Sequence, residues 1–271
     1  MTIAARAVIA PRKRPVPDAF TRLETALATW REWPLPITDA PRVLGPIEGG
    51  RTNRSFRLRA PGLNDDLLLR LNNPRGPHLG IDRAQEAAIL DTVAEAGLTR
   101  GACYWSPQRD FTVFPHIDGR TWSDADFQDP RQRRRLMECL GAAQVLAPGT
   151  PRRSYTAYLD HYWQQLENAG AIDAALASSW WLFRETLVAF DRSDWPAVLT
   201  HHDLIPENVL ETGDRLYLID WEYAAVGHPD IDRWCIDPTL VREPFVHELA
   251  RWTNALWERI VTLSDEHRTV T

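Results

Sequence analysis

Lysine is almost missing from this chain: of its 31 basic residues only Lys13 is one. Chemistry that needs an ε-ammonium must use that residue near the N-terminus or pass to arginine, whose planar guanidinium is a different tool. Cysteine is scarce too. Cys103, Cys139 and Cys235 are odd in number, widely spaced and without a Cys-x-x-Cys pair, which argues against a disulfide framework or a thiolate metal site and fits a reducing cytoplasm. No apolar run approaches the ~18 residues of a membrane span. The opening MTIAARAVIAPRKRPVP puts a weakly apolar stretch before its charges, the reverse of a secretory signal. An excess of positive charge is also lacking. The balance of 31 basic against 37 acidic residues leaves −6, and such a surface repels phosphate backbones and anionic membranes. Neither nucleic acid nor membrane insertion is expected.

With 44% hydrophobic and 25% charged residues over 271 positions, the chain has the makings of one large domain or two ordinary ones. No internal repeat or low-complexity tract interrupts it. After a Pro-rich arm to Pro17, Phe20, Leu23, Ala26, Leu27 and Trp30 recur at helical spacing behind Asp18, until Pro34 and Pro36 stop the pattern. Segments 42–47, 55–59 and 66–71 read as antiparallel strands, 81–96 as a helix with Asp82 in its first turn and Gly97 past its end, and 102–105 and 111–114 as strands again. Beyond His116-Ile117-Asp118-Gly119 the period turns helical over 130–146, 155–168, 171–190 and 243–263. One stretch breaks this pattern. From Val198 to Trp221, VLTHHDLIPENVL and RLYLIDW flank Thr212-Gly213-Asp214 and read as a β-hairpin. The class is α+β, with boundaries at 1–17 for the arm, 18–117 for a sheet lobe and 118–271 for a helical lobe.

Polar residues gather at the ends of that hairpin: His202, Asp203 and Asn208 on one side, Asp220 and Glu222 on the other. Folding about Gly213 brings Asn208 near Asp220, because paired strands lie ~4.8 Å apart. A carboxylate and an amide oxygen facing one point are hard ligands, suited to Mg²⁺ sharing phosphate oxygens rather than to zinc. Asp203 lies just outside that pair and is left to act as a base. On its own, each of these residues has a plain reading as a cap, a surface group or a packed histidine. The spacing of the set carries the argument.

HHDLIPENVL followed by LYLIDWEYA resembles the paired motifs of the aminoglycoside phosphotransferase and choline kinase superfamily. The resemblance runs in order over roughly residues 42–235. It implies a bilobal protein kinase-like fold and an ATP-dependent small-molecule kinase with ATP and Mg²⁺ as cofactors. Glu48 to Phe56 is similar to the glycine-containing nucleotide loop of choline kinase-like enzymes, which implies nucleotide contacts at Gly49, Gly50, Thr52, Asn53 and Ser55. Leu68-Leu69-Arg70-Leu71 is similar to their third strand, with Arg70 for the usual lysine and Glu86 as its partner. Phe114 and His116 fall in the implied adenine hinge. By the same resemblance Asp203 handles the acceptor hydroxyl, Asn208 and Asp220 hold metal, and Asp232 is a structural aspartate under the catalytic loop. The basic run 131–135 reads as a solvated helix face.

Twelve tryptophans are mostly core material, yet a Trp face also attracts quaternary ammonium. Trp221, Trp234, Trp252, Trp257 and the Tyr162-Trp163 pair are candidates for an aromatic acceptor box, of which Trp221 and Trp234 are taken as substrate residues, with Glu222 as an anionic wall. The acceptor expected is a small hydroxylated, cationic metabolite such as choline or ethanolamine, then thiamine, then an aminoglycoside. Two other classes compete. An HD-type metal phosphohydrolase would use His201, His202, Asp203, His228 and Asp232, but such sites sit on helices rather than around a hairpin. A catalytically inactive kinase-fold binding protein would show no magnesium-dependent ATP turnover.

Overall fold

Asp18 starts the first helix, its Oδ1 accepting the N–H groups of Phe20 and Thr21, both at 2.9 Å. The computed structural model describes residues 18–50, 52–213 and 215–269. Lys13, the arm to Pro17, Arg51 of the glycine loop and Asp214 of the hairpin turn lie outside the described residues. Helix α1 (Ala19–Ala28) packs on a sheet of β1 (Arg42–Ile47), β2 (Arg54–Arg59), β3 (Leu67–Leu71), β4 (Tyr104–Trp105) and β5 (Phe111–Pro115), in the order β1-β2-β3-β5-β4, all antiparallel. Pro46 is tolerated because β1 is an edge strand. In β3 the alternation of a strand decides everything that follows. Leu67, Leu69 and Leu71 are buried in the core shared with Leu23 and Trp33, so Leu68 and Arg70 face the other way.

Helix α2 (Arg83–Glu95) buries Ile89, Leu90 and Val93 in a core shared with Leu136, Leu199 and Trp221 of the helical part. Its cap is Asp82, which accepts from Ala84 and Gln85 at 2.8 and 3.2 Å, so this residue precedes the first turn rather than sitting in it. Glu86 falls among the buried positions Ala87, Ile89, Leu90 and Val93, a carboxylate on an apolar stripe. Such a placement needs partners.

After β5 the chain forms β6 (Arg120–Thr121), α3 (Asp124–Gln128), α4 (Pro130–Gln144), α5 (Tyr155–Asn168) and α6 (Ala174–Arg192). It ends in β7 (Val198–Thr200), β8 (Val209–Thr212), β9 (Arg215–Leu218), β10 (Ala225–Gly227), α7 (Asp230–Ile236) and α8 (Phe245–Thr269). The protein has a protein kinase-like architecture: an antiparallel sheet and α2, followed by a helical part. The expected hairpin is shorter than its sequence signature. Only β8 and β9 pair around Gly213, β6 joins them as a third strand, and β7 pairs instead with β10. The reason lies between β7 and β8. His202 is left-handed at φ 65°, Pro206 lacks an N–H, and the loop backbone is held by side chains rather than by a ladder. Strands β6 and β10 and helices α3 and α7 were not foreseen, each being too short to show a period.

Candidate active site

Arg70 leaves β3 on the face opposite the Leu69 core and is nearly enclosed, with 7% of its side chain exposed. Its Nη2 donates to Glu86 Oε1 at 2.6 Å, its Nε donates to Asn72 Oδ1 at 2.9 Å, and its Nη1 stands 3.4 Å from Asp220 Oδ1. The Phe114 ring lies beneath it, 5.3 Å from the guanidinium carbon. One arginine thus ties the sheet, α2 and the end of the hairpin together. Burial opposes the charge on Arg70, but Glu86, Asp220 and Glu222 outweigh it and hold the guanidinium above its ordinary range. Burial likewise pushes Glu86 up, and Arg70 with Arg83 more than reverses this, so the carboxylate is held below its usual range.

The hairpin does what its spacing promised. Val209 opposes Leu218, and the Ile219 N–H donates to Asn208 O at 2.9 Å, which sets Asn208 across from the residue before Asp220. The Asn208 amide nitrogen donates to Asp203 O at 2.8 Å. That bond assigns the nitrogen end of the amide to the Asp203 loop and leaves the oxygen as the end able to bind a cation. Asp220 is left-handed at φ 61° and ψ 57°, an uncommon conformation for a residue with a Cβ and one found at functional sites. Burial pushes its carboxyl up to about 6, with Arg70 pulling it back and Asp203 pushing it further.

Fully buried His201 and half-buried His202 precede Asp203 in the chain. Asp232, fully buried on α7, accepts the N–H groups of His201 and His202 at 2.9 Å each, so the expected structural aspartate is in place. Burial holds both imidazoles below their usual range. The His202 Nδ1 lies 3.2 Å from Thr200 O and its Nε2 lies 3.1 Å from the Tyr155 hydroxyl. With both ring nitrogens engaged, His202 holds the loop.

The remaining sequence candidates divide. Gly49 is left-handed at φ 105°, and a Cβ on Gly50 would stand 2.9 Å from the Asn53 carbonyl oxygen, so the turn needs both glycines. Ser55 is opposite Arg70 across β2 and β3. Thr52 and Asn53 are turned inward. The Thr52 side chain bonds Tyr223, while Asn53 Oδ1 accepts from Asn73 N and Arg83 Nη2 at 3.0 Å each and its Nδ2 donates to Glu222 Oε2 at 2.8 Å. The Asn53 side chain anchors the loop. The His116 N–H is committed to Asp66 O at 2.9 Å, which removes it as a donor to a base.

Two substrate assignments are corrected. Trp221 is 1% exposed, donates its indole N–H to Leu218 O at 2.8 Å and packs on His201 at 4.7 Å, so no face of it is presented to a ligand. Glu222 is buried and meets Arg83 Nη1 at 2.8 Å, so its charge is spent inside the protein. Trp252 stacks on Phe183, Trp163 on Trp180, and Tyr162 donates to Leu79 O. All three are core. Trp234 does line a cavity of about 50 Å³ beside His202, together with Arg153, Tyr155, Tyr158, Tyr223 and Asn254.

Sequence reasoning passed over Arg83 and Arg153. Arg83 bridges Glu86 at 2.7 Å and Glu222 at 2.8 Å. A cation in the first turn of α2 opposes the helix dipole, and that misfit was a legible sign of carboxylate partners. Arg153 lies with its guanidinium carbon 4.4 Å from the Tyr158 ring centre and donates to Tyr223 O at 3.0 Å. Its signal was the pair Tyr155 and Tyr158, three apart at the start of α5.

Residues 43–260 match the phosphotransferase enzyme family. Protein LicA of Haemophilus influenzae is 36% identical over 77 residues, which cover 26% of this chain and 21% of that protein. The chain therefore spans about a fifth of the length of the curated relative it matches. Among solved structures, a choline/ethanolamine kinase family protein from Mesorhizobium loti aligns with a TM-score of 0.63 at 23% identity, over 90% of this chain and 87% of that one. Choline kinase LicA from Streptococcus pneumoniae aligns with a TM-score of 0.61 at 15% identity, over 93% and 92%. Spectinomycin phosphotransferase APH(9)-Ia, in complex with ADP and spectinomycin, gives 0.56 at 12% identity, over 88% and 86%. At these identities the structural likeness is one of fold.

Proposed function

This chain belongs to the phosphotransferase enzyme family, and we propose that it is a small-molecule kinase that moves the γ-phosphate of ATP to the hydroxyl of a small metabolite, choline or ethanolamine before others. The observation that carries the reading is the single guanidinium of Arg70 held between Glu86 and Asp220, at the end of a hairpin that presents the Asn208 amide oxygen. Residues 18–117 would hold the nucleotide and residues 118–271 the acceptor.

The site suits a divalent cation that shares phosphate oxygens. Among the described residues no three His, Cys, Asp or Glu side chains form a cage for a metal, so Asn208 and Asp220 would need further oxygens from the nucleotide. The carboxyl of Asp220, pushed up by desolvation against the pull of Arg70 at 3.4 Å, gains from such a charge. The turn at Gly50, where a Cβ would meet backbone, lets amides come close to phosphate. Bound Mg²⁺ supplies charge neutralisation at the phosphates. The protein supplies the rest: Arg70 positions the phosphates, Glu86 and Phe114 fix Arg70, and Asp203 accepts the hydroxyl proton at a carboxylate oxygen.

Four rings, Tyr155, Tyr158, Tyr223 and Trp234, surround the cavity next to His202, and this supports an ammonium-bearing acceptor. Arg153 favours a second reading. Its guanidinium already lies on the Tyr158 ring, and the cavity of about 50 Å³ is too small for a trimethylammonium group unless Arg153 or Trp234 moves. An acceptor that carries a carboxylate would instead use Arg153 as its partner. The test compares choline, its neutral isostere 3,3-dimethylbutanol and a small hydroxy acid as acceptors at saturating MgATP, by kcat/KM. Preference for choline supports the first reading and preference for the acid the second. Arg153→Met should raise choline use and lower acid use if Arg153 sets the choice.

A further inference from the structure

A second cavity lies at the end of the sheet away from Phe114 and Pro115, between α1, the turn joining β4 to β5 and the segment after β3. It encloses about 450 Å³ and is lined by three arginines, Arg22, Arg83 and Arg109, with Asn72, Asn73 and Asp110. Neither Asp203, Asn208, Asp220 nor the glycine loop contributes to its wall. We propose that this cavity is a binding site for a phosphate-bearing small molecule, separate from the nucleotide and acceptor sites.

The argument rests on the state of the three guanidinium groups. Arg83 is spent on Glu86 and Glu222. Arg22 gives its Nη2 to two carbonyl oxygens, Asn72 O at 2.6 Å and Asp110 O at 3.1 Å, and forms no ion pair among the described residues. Burial depresses its charge, and only Asp110 supports it. Arg109 lies on the Trp105 ring at 4.6 Å, and its Nη1 is a buried donor without a hydrogen-bond partner among the described residues. Both guanidinium groups are half-buried on one cavity wall, where a charge-assisted bond to an anion is stronger than in open water. The one carboxylate in the wall, Asp110, is turned to its own loop by the Ser106 hydroxyl.

Loop geometry fixes this arrangement. Arg109 is left-handed at φ 57°, Asn72 Nδ2 donates to Arg109 O at 2.9 Å, and the Asn72 N–H donates to Asp110 O at 2.9 Å. The loop is thus tied to the residue that follows β3. Two guanidinium groups without ion pairs among the described residues, on a preformed wall, match the forked geometry that phosphate recognition uses. The volume leaves room for a small organic body behind the phosphate. Asn72, which also accepts from Arg70 Nε, joins this cavity to the phosphate-positioning arginine.

The experiment titrates inorganic phosphate into the full chain saturated with a non-hydrolysable ATP analogue and magnesium, so that the nucleotide site is filled. Binding is read by calorimetry and by thermal shift against chloride at equal ionic strength. One phosphate site is expected. Arg109→Asn removes the guanidinium while tolerating positive φ, and Arg22→Gln keeps a donor for Asn72 O. Each should weaken phosphate at least about tenfold, with binding of the ATP analogue unchanged. Absence of a phosphate-specific response in the unmutated protein overturns the proposal. So does phosphate affinity that survives both substitutions in folded protein, since the ion would then sit elsewhere. Because the nucleotide site is filled throughout, failure here leaves the phosphotransfer reading standing.

Discussion

Glu86 Oε1 lies 2.6 Å from Nη2 of Arg70, and both side chains are almost fully enclosed. An ion pair this buried is not a source of stability in itself, but removal of one partner strands the other in a low-dielectric site. Arg70→Met should therefore destabilise the fold by about 3 kcal/mol or more and abolish measurable turnover. Arg70→Lys should restore most of the stability. A single ammonium does not replace three directed contacts to Glu86, Asn72 and Asp220, so the lysine variant should still show a raised KM for MgATP. Urea unfolding and steady-state kinetics on both variants check this. Equal KM in Arg70→Lys and the unmutated protein would remove Arg70 from phosphate positioning.

Asp203 and Asp220 should fail differently. Asp203→Ala is expected to lower kcat at least about 100-fold with little change in nucleotide affinity, because proton acceptance belongs to the transition state. Asp220→Asn should weaken the binding of magnesium-bound nucleotide as well. Calorimetry with a non-hydrolysable analogue separates the two, and identical binding losses would merge their roles.

The Asp220 carboxyl gives a pH dependence with a defined sign. Its folded value of about 6 lies above the ordinary 3.8, so between those values the folded protein holds more protons than the unfolded chain. This group's contribution then makes the ligand-free protein less stable as pH rises from about 4 to about 6, and flat beyond. Nucleotide with magnesium needs the ionised form, so its binding should tighten over the same window and release a proton. The difference between the unmutated protein and Asp220→Asn isolates the effect from other carboxylates. A pH-independent difference contradicts it.

Asp232 serves two backbone donors at once. Asp232→Ala leaves the His201 and His202 N–H groups buried without an acceptor and should cost about 3 kcal/mol. Asp232→Asn keeps one carbonyl acceptor and should fall between. Loss of kcat with unchanged KM for MgATP would mark the displaced Asp203 loop rather than a damaged nucleotide site.

What was legible in the sequence was the local and the periodic. The strands at 42–47, 55–59 and 66–71 and the long helices show in their spacing, and the Asn208 to Asp220 pairing shows in a hairpin with a glycine at its tip. Arg70 and Glu86 were paired from resemblance, and the alternation of β3 explains why they meet. The substrate side was not legible. Trp221 and Glu222 stand next to Asp220 in sequence, but the turn after the left-handed Asp220 sends one into the core and the other towards Arg83. Tyr155, Tyr158 and Arg153 reach the cavity beside His202 from a helix start some fifty residues before it, a long-range placement that no window of sequence contains. Arg109 and its left-handed turn carry no periodic signal at all.

The central claim, that Asp203 directs the terminal phosphate of ATP to an alcohol, is tested most directly by following label from [γ-³²P]ATP with magnesium and a panel of choline, ethanolamine and small hydroxy acids. The account predicts an acceptor-dependent labelled phosphomonoester from the unmutated protein, and its loss in Asp203→Ala protein that still binds the ATP analogue. A phosphomonoester formed equally well by folded Asp203→Ala, or label released only as inorganic phosphate whatever the acceptor, would contradict it.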